Sequence, residues 1–480
     1  MTIFGQRRAP SIMVDGKPRV ASRAVLVLLA GRALGDGKHA HRQGTGDIGS
    51  GLHSVSETQP LVESTDKGSP HAAVCPFCAL LCDDIALAPT PDLGFTITRN
   101  GCRRASQDFA RAPLSPTPRV GGREVTLEAA IRAAAKILKP ARQALFAGLA
   151  TDVDGMRSII NLAERCGAAL DHAHGEALAA MARLLQTRGW YATTLSELRN
   201  RADFVLLIGL DLADRYENLA RRCLRPQHAF DADMLAARRI VYLGNTPPAS
   251  ALLDYEALKC SNDAIVDVLH ALLALLKKQP LPATRVAGLP MAKLATLADS
   301  LRGARYSGLV FAPGRLADPR EPTLTLLCEI IDELNRDTRA ALLPLGGDDG
   351  GQTAVGTCAW LTGYPLRIRY GNRIDYQPHS IATAKLLDSG GADALLWIDA
   401  FGRLGQLPRS APLTETVVLG ASDVAPGAEP AVFIPVGTPG LDHAARLLRA
   451  DTVVSLPLGR QRDSGLPSVA SVVSAIEAAL

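Results

Sequence analysis

FVLLIG, Phe204 to Gly209, and RIVYLG, Arg239 to Gly244, are continuous apolar runs that each stop at a glycine. A half-exposed strand alternates apolar with polar residues. A run with no polar position fits a strand covered on both faces, as in a parallel sheet between helix layers. The same pattern recurs in ALFAG (Ala144 to Gly148), SGLVFA (Ser307 to Ala312), AALLPL (Ala340 to Leu345), ALLWID (Ala394 to Asp399), TVVLG (Thr416 to Gly420) and AVFIPV (Ala431 to Val436). Helical periodicity lies between the runs. Thr126 can cap a helix whose apolar face carries Leu127, Ala130, Ile131, Ala134 and Ile137, with Pro140 beyond its end. Met156 to Cys166 stops at Gly167, Ile265 to Leu276 is strongly apolar, and Ser468 to Leu480 closes the chain as a helix. This alternation implies an α/β fold with doubly wound parallel sheets and ligands at the carboxyl ends of strands.

At 480 residues the chain exceeds one ordinary core, so about two to four domains are expected. A net charge of +4 over that length gives no case for nucleic acid or an acidic membrane surface. Nine cysteines without a convincing signal peptide fit a reducing, cytoplasmic setting with free thiols. No segment reaches the roughly 18 apolar residues that a membrane span requires. Arg7-Arg8 ahead of AVLVLLAG (Ala24 to Gly31) is a faint match to a twin-arginine signal, but Arg23 and Arg32 bracket the short run and no small-residue cleavage site follows. Residues 1–70, rich in Gly, Ser, His and Thr, are expected to be a disordered extension, or translated from a start placed too far upstream. Residues 71–122 hold a small N-terminal cysteine-rich domain and its linker, residues 123–300 a first α/β domain, and residues 301–480 a second with the C-terminal segment.

The cysteine segment reads VCPFCALLCDDI, Val74 to Ile85. Cys75, Cys78 and Cys82 follow C-x2-C-x3-C, and Cys102 comes later in NGCRRA. Three thiols on one turn plus a distant fourth suit a [4Fe–4S] cluster. Zinc, which usually takes two C-x2-C knuckles, and unmetallated thiols are the alternatives. Arg103 and Arg104 can offset a cluster's negative charge or form a solvated basic patch. Asp83 and Asp84 read as a polar turn. Cys166, Cys223, Cys260, Cys328 and Cys358 are scattered and read as structural. Two Gly-rich passages, Leu345 to Pro365 and Val436 to Leu448, read as loops able to approach a phosphate.

CPFCALLCDDI with Cys102, GAALDHAHGEAL (Gly167 to Leu178), VGTCAWLTGYPLRIRYGNRIDYQP (Val355 to Pro378) and AVFIPVGTPGLDHAARLLRADTVVSLPL (Ala431 to Leu458) occur in order. Together they resemble the B subunit of formylmethanofuran dehydrogenase, a branch of the molybdopterin oxidoreductases. The resemblance covers Ala73 to the C-terminus. It implies a fold like formate dehydrogenase and dimethyl sulfoxide reductase, with Cys75, Cys78, Cys82 and Cys102 as iron–sulphur ligands. In that family a metal-ligating cysteine or selenocysteine precedes a His-Gly pair. Here the pair aligns with His174-Gly175, and the preceding residue is Ala173. A methyl group cannot ligate a metal. His172 and His174 lie nearby and read as hydrogen-bonded structural histidines rather than ligands. The departure at Ala173 points to the related formyltransferase/hydrolase complex of methylotrophic bacteria, which runs without redox chemistry in one-carbon metabolism.

That resemblance implies a structural component without catalytic residues of its own and without molybdopterin or tungstopterin. Its partners would be an amidohydrolase-like A subunit, a C subunit and a formyltransferase subunit, with a methanofuran-type carrier bound by the complex. The alternatives are a catalytic molybdenum- or tungsten-pterin dehydrogenase subunit and, more distantly, a small iron–sulphur electron carrier within another complex.

Overall fold

The structure, a computed structural model, describes residues 70–113, 117–210, 212, 215–245, 253–409, 414–421 and 429–480, and the backbone of two short strands nearer the N-terminus. The expectations for the rest of residues 1–70 and for the middle of the linker fall outside the described residues. Residues Met1–Pro60 and Leu61–Leu480 form two separate units. In the first, Ile12–Val14 pairs antiparallel with Lys17–Arg19. The second holds every other described element.

Two sheets organise that unit. One is five-stranded and wholly parallel, in the order Glu256–Lys259, Arg239–Gly244, Phe204–Ile208, Ser307–Phe311, Ala340–Pro344. The other has nine strands around a parallel centre of Ala169–Leu170, Ala144–Ala150, Ala394–Asp399, Glu415–Ala421 and Val432–Val436, with short antiparallel strands at both edges. The apolar runs are covered on both sides. Phe204, Leu206 and Ile208 face the helices Ile265–Leu276, Met291–Gly303 and Glu321–Leu334. Val205 and Leu207 face the opposite layer, which includes the cysteine segment. Likewise Leu396 and Ile398 enter one core with the helices Leu127–Leu138, Val153–Cys166 and Val469–Ala478, while Leu395 and Trp397 enter another. Burying one such side chain fully contributes about 1.5–3 kcal/mol, which is why no polar residue interrupts the runs.

Local signals set the helix ends. The Thr126 hydroxyl accepts from the Ala129 N–H, and the Ser468 side chain from the Ser471 N–H. The helix Val153–Cys166 begins three residues before the expected start because Asp152 caps it, and ends at Gly167 in the left-handed conformation, φ 64°.

The chain path differs from the expected division at residue 300. It builds part of the nine-stranded sheet with residues 144–170, makes the whole five-stranded sheet between residues 204 and 344, and returns to the first sheet from residue 368. The boundary at 300 therefore falls inside the five-stranded sheet. An apolar run shows that a strand is doubly covered but not which sheet it joins.

The cysteine segment forms an antiparallel sheet of His71–Ala73, Ile85–Pro89 and Phe95–Arg99, followed by the helix Arg103–Phe109. It shares a core with the body, with Phe77, Leu80 and Phe109 packed in one cluster with Leu198, Val205 and Leu219. Among the described residues no helix is long and apolar enough to cross a membrane.

Candidate functional site

The loop between His71–Ala73 and Ile85–Pro89 is closed by the Cys75 N–H donating to the Cys82 carbonyl at 2.8 Å, with the Leu81 N–H on the Cys78 carbonyl at 3.2 Å. This brings Cys75, Cys78 and Cys82 onto one buried turn. Cys102 arrives from the far end of the segment as the cap of Arg103–Phe109, its sulphur accepting from the Ala105 N–H at 3.4 Å. Phe109 holds that helix against the loop, edge-on to Phe77 with ring centroids 4.9 Å apart. The four thiols are near enough to feel one another's charge. Burial first, and then neighbouring thiols, push Cys75 well up and Cys78 up to about 12. Burial likewise raises Cys82 to about 11 and raises Cys102. Such thiols stay protonated until a cation displaces the protons. Among the described residues no group of three or more His, Cys, Asp or Glu side chains is gathered tightly enough for a metal ion.

Asp83 and Asp84 are more than a polar turn. Arg222 reaches Asp83 at 2.7 Å and Asp84 at 2.5 Å, and Arg221 reaches Asp84 at 2.7 Å. Of the other cysteines, Cys223 lies close enough to Cys82 for their charges to interact.

Arg104 does not form a solvated patch. It turns inward, its side chain 10% exposed, and donates to the Asp349 carboxylate at 2.7 Å, beside the Cys78 thiol. Asp349 sits in a left-handed conformation, φ 54°, between strand Ala340–Pro344 and helix Gly351–Thr362. The neighbouring Gly350, φ 75°, lies so close to the Thr151 carbonyl that a Cβ would stand 2.6 Å from it. Asp349 also receives the His174 Nε2–H at 3.0 Å. Burial alone would raise this carboxyl; the bond from His174 and the charge of Arg104 outweigh it and hold the group down at about 2. His172 completes the network. Its Nδ1 accepts from the His174 backbone N–H at 3.0 Å, and its Nε2 donates to the Asp349 carbonyl at 3.1 Å. Complete burial, then the neighbouring His174, lower it to about 3, so it is a neutral structural imidazole.

Of this network, His174 lines a cavity of about 660 Å³. Ala173 and His174 follow strand Ala169–Leu170, Leu210 follows Phe204–Ile208, Pro313 follows Ser307–Phe311, and Gly346 follows Ala340–Pro344. The cavity therefore lies at the carboxyl ends of strands from both sheets, where α/β folds place ligands. Its outer wall is apolar, with Met181, Leu185, Trp190 and Val355, and Arg215, Arg315 and Arg320 also line it. Ala173 is exposed on the wall. At this point of the wall Ala173 presents a methyl group, which offers no metal-ligating atom. The two Gly-rich passages form no isolated phosphate loop: the first becomes the helix Gly351–Thr362 and the second the strand Ala445–Leu448 of a hairpin.

No family model matches the chain. The B subunit of the formyltransferase/hydrolase complex Fhc of Methylorubrum extorquens is 29% identical over 322 residues, spanning 67% of this chain and 85% of that protein. The crystal structure of that organism's Fhc complex with methylofuran contains a chain that superposes with a TM-score of 0.63 at 26% identity, covering 75% of this chain and 98% of that one. The chain is a homologue of the Fhc B subunit. It is also homologous to the B subunit of tungsten-containing formylmethanofuran dehydrogenase 2. The protein of Methanocaldococcus jannaschii is 26% identical over 346 residues, and that of Methanococcus maripaludis 26% over 342, each match spanning 67% of this chain and 77% of the relative.

Proposed function

We propose that this chain is the B subunit of a formyltransferase/hydrolase complex that converts a carrier-bound formyl group to formate in one-carbon metabolism in the cytoplasm. The observation that carries this reading is the match to 85% of the Fhc B subunit, joined to a superposition covering 98% of an Fhc chain. The role of the chain is architectural. It adopts a formate dehydrogenase/DMSO reductase-like arrangement with a small cysteine-rich domain, and works beside an amidohydrolase-like A subunit, a C subunit and a formyltransferase subunit. The complex takes a methanofuran-type carrier, as the Fhc relative takes methylofuran. Ala173 supports a non-redox role, because transfer and hydrolysis of a formyl group move no electrons. Trp360, Leu361 and Tyr364, exposed at the end of helix Gly351–Thr362, support contact with partner subunits.

Cys75, Cys78, Cys82 and Cys102 would hold an iron–sulphur cluster, and Arg104 and Arg222 would offset its charge. When bound, such a cluster supplies one-electron transfer and cross-links its four ligands. A second reading, a working dehydrogenase subunit, is favoured by that thiol set and by the tungsten-containing relatives. Co-expression with the neighbouring subunits tests the proposal. A stable complex that releases formate from a formylated carrier without an electron acceptor is expected. A soluble monomer that binds none of the other subunits would overturn it.

A further inference from the structure

Asn218 belongs to the body, on the helical turn Glu217–Leu219 that leads into the wider turn Ala220–Leu224. It is buried, and its amide reaches the cysteine loop. Nδ2 donates to the Asn100 carbonyl at 3.0 Å and stands 3.5 Å from the Cys82 sulphur. Oδ1 faces Arg221 Nε at 3.5 Å. A guanidinium only donates, so the amide oxygen belongs on that side and the group cannot be flipped. Nδ2 carries two hydrogens. One is taken by Asn100, and the second is directed to sulphur. A neutral thiol is a weak acceptor, whereas a metal-bound thiolate carries charge and accepts far better.

The two residues after Cys82 are held from the same stretch of chain. Arg222 pairs with Asp83 and Asp84, and Arg221 with Asp84. The Cys82 corner is thus tied to the α/β body by three consecutive contacts: an amide on its sulphur, then ion pairs on the next two side chains. Cys102, by contrast, takes its donor from the backbone N–H of Ala105.

We propose that Asn218 is a positioning residue for an iron–sulphur centre, donating its side-chain N–H to the Cys82 sulphur and anchoring that corner of the cluster to the body. The inference rests on the reading of the four cysteines as cluster ligands. Outer-sphere donors of this kind are worth about 10–100-fold in metal retention.

The test uses the full chain in its complex, reconstituted anaerobically with ferrous iron and sulphide, as wild type, Asn218→Leu and Asn218→Asp. The leucine removes the donor at similar volume. The aspartate keeps the shape and the Arg221 contact, so it decides if the leucine variant fails to fold. Iron content, the rate of iron loss to a chelator, and nuclear couplings of the reduced cluster with heavy-nitrogen-labelled asparagine are measured. The wild type is expected to bind iron and show an asparagine nitrogen coupling. The variants are expected to load iron, lose that coupling, and release iron about tenfold faster. No iron in the wild type overturns the cluster reading and this inference with it. Iron without asparagine coupling, or equal release from wild type and variants, overturns the role of Asn218 alone.

Discussion

Acidification should destabilise the fold through His172. The folded imidazole is wholly buried, accepts from the His174 N–H and donates to the Asp349 carbonyl. Burial with the nearby His174 lowers it from 6.5 to about 3, while Arg104 and Arg215 act on the adjoining Asp349. In the unfolded chain the imidazole takes a proton near its ordinary value. Between those limits the unfolded state binds one more proton than the folded one, so stability rises with pH and falls as the solution is acidified. Going from pH 7.5 to pH 5 costs about 2 kcal/mol from this residue alone, roughly 1.4 kcal/mol for each pH unit below 6.5. Asp349 behaves separately. Its lowered carboxyl contributes stability above 3.8 that is lost only as pH falls toward about 2. It stays charged across the pH 5 to 7.5 interval, and carboxyls that burial raises, such as Asp171 and Asp399, are common to both proteins, so the difference between them reads His172. Urea unfolding of wild type and His172→Gln at the two pH values reads the difference. The variant is expected to be less stable at pH 7.5, by about 1–3 kcal/mol for the weakened hydrogen bonds, but to lose about 2 kcal/mol less on acidification. Equal pH dependence in the two proteins would refute a buried neutral His172.

Asp349→Asn and Arg104→Gln should each cost about 3 kcal/mol or more, and a double-mutant cycle should return about 1–3 kcal/mol of coupling; additive effects would dissolve the pair. Arg238 is fully buried with no carboxylate among its hydrogen-bond partners in the described residues, and donates to the carbonyls of Arg199, Ala202, Cys223 and Leu224. Arg238→Met should cost more than about 3 kcal/mol in thermal or urea unfolding, and a cost under about 1 kcal/mol would contradict its role as a staple. Replacing the four cysteines by serine should leave formyl transfer and hydrolysis intact in any complex that assembles; loss of activity in an assembled complex would assign the thiols a chemical role.

The parallel strands were legible because a doubly covered strand admits no polar residue, as Phe204–Ile208 shows. Their division between two sheets was not, since the chain leaves the first sheet after Leu170 and re-enters it at Ile368. The glycines of residues 345–365 suggested a loop, yet Gly351 and Gly356 lie inside a helix. There a Cβ on Gly356 would stand 2.7 Å from Leu448, so the small residue serves close packing. The cysteine spacing marked Cys75, Cys78, Cys82 and Cys102 as candidate ligands. Their surroundings were invisible, because Arg104 and Asp349 meet across 245 residues and Asn218 reaches Cys82 across 136. No local pattern announces a pairing at that separation. Ala173 was legible only through the resemblance, since an alanine on a cavity wall carries no signal of its own.

The central claim, a formylmethanofuran dehydrogenase-like subunit working without its catalytic metal, is tested most directly by elemental analysis of the natively purified complex for tungsten and molybdenum, with viologen reduction by formate followed in the same preparation. Neither metal in stoichiometric amount and no dye reduction are expected, while formyl groups are still released as formate. One tungsten or molybdenum per copy of this chain, with dye reduction that disappears when the chain is omitted, would contradict it.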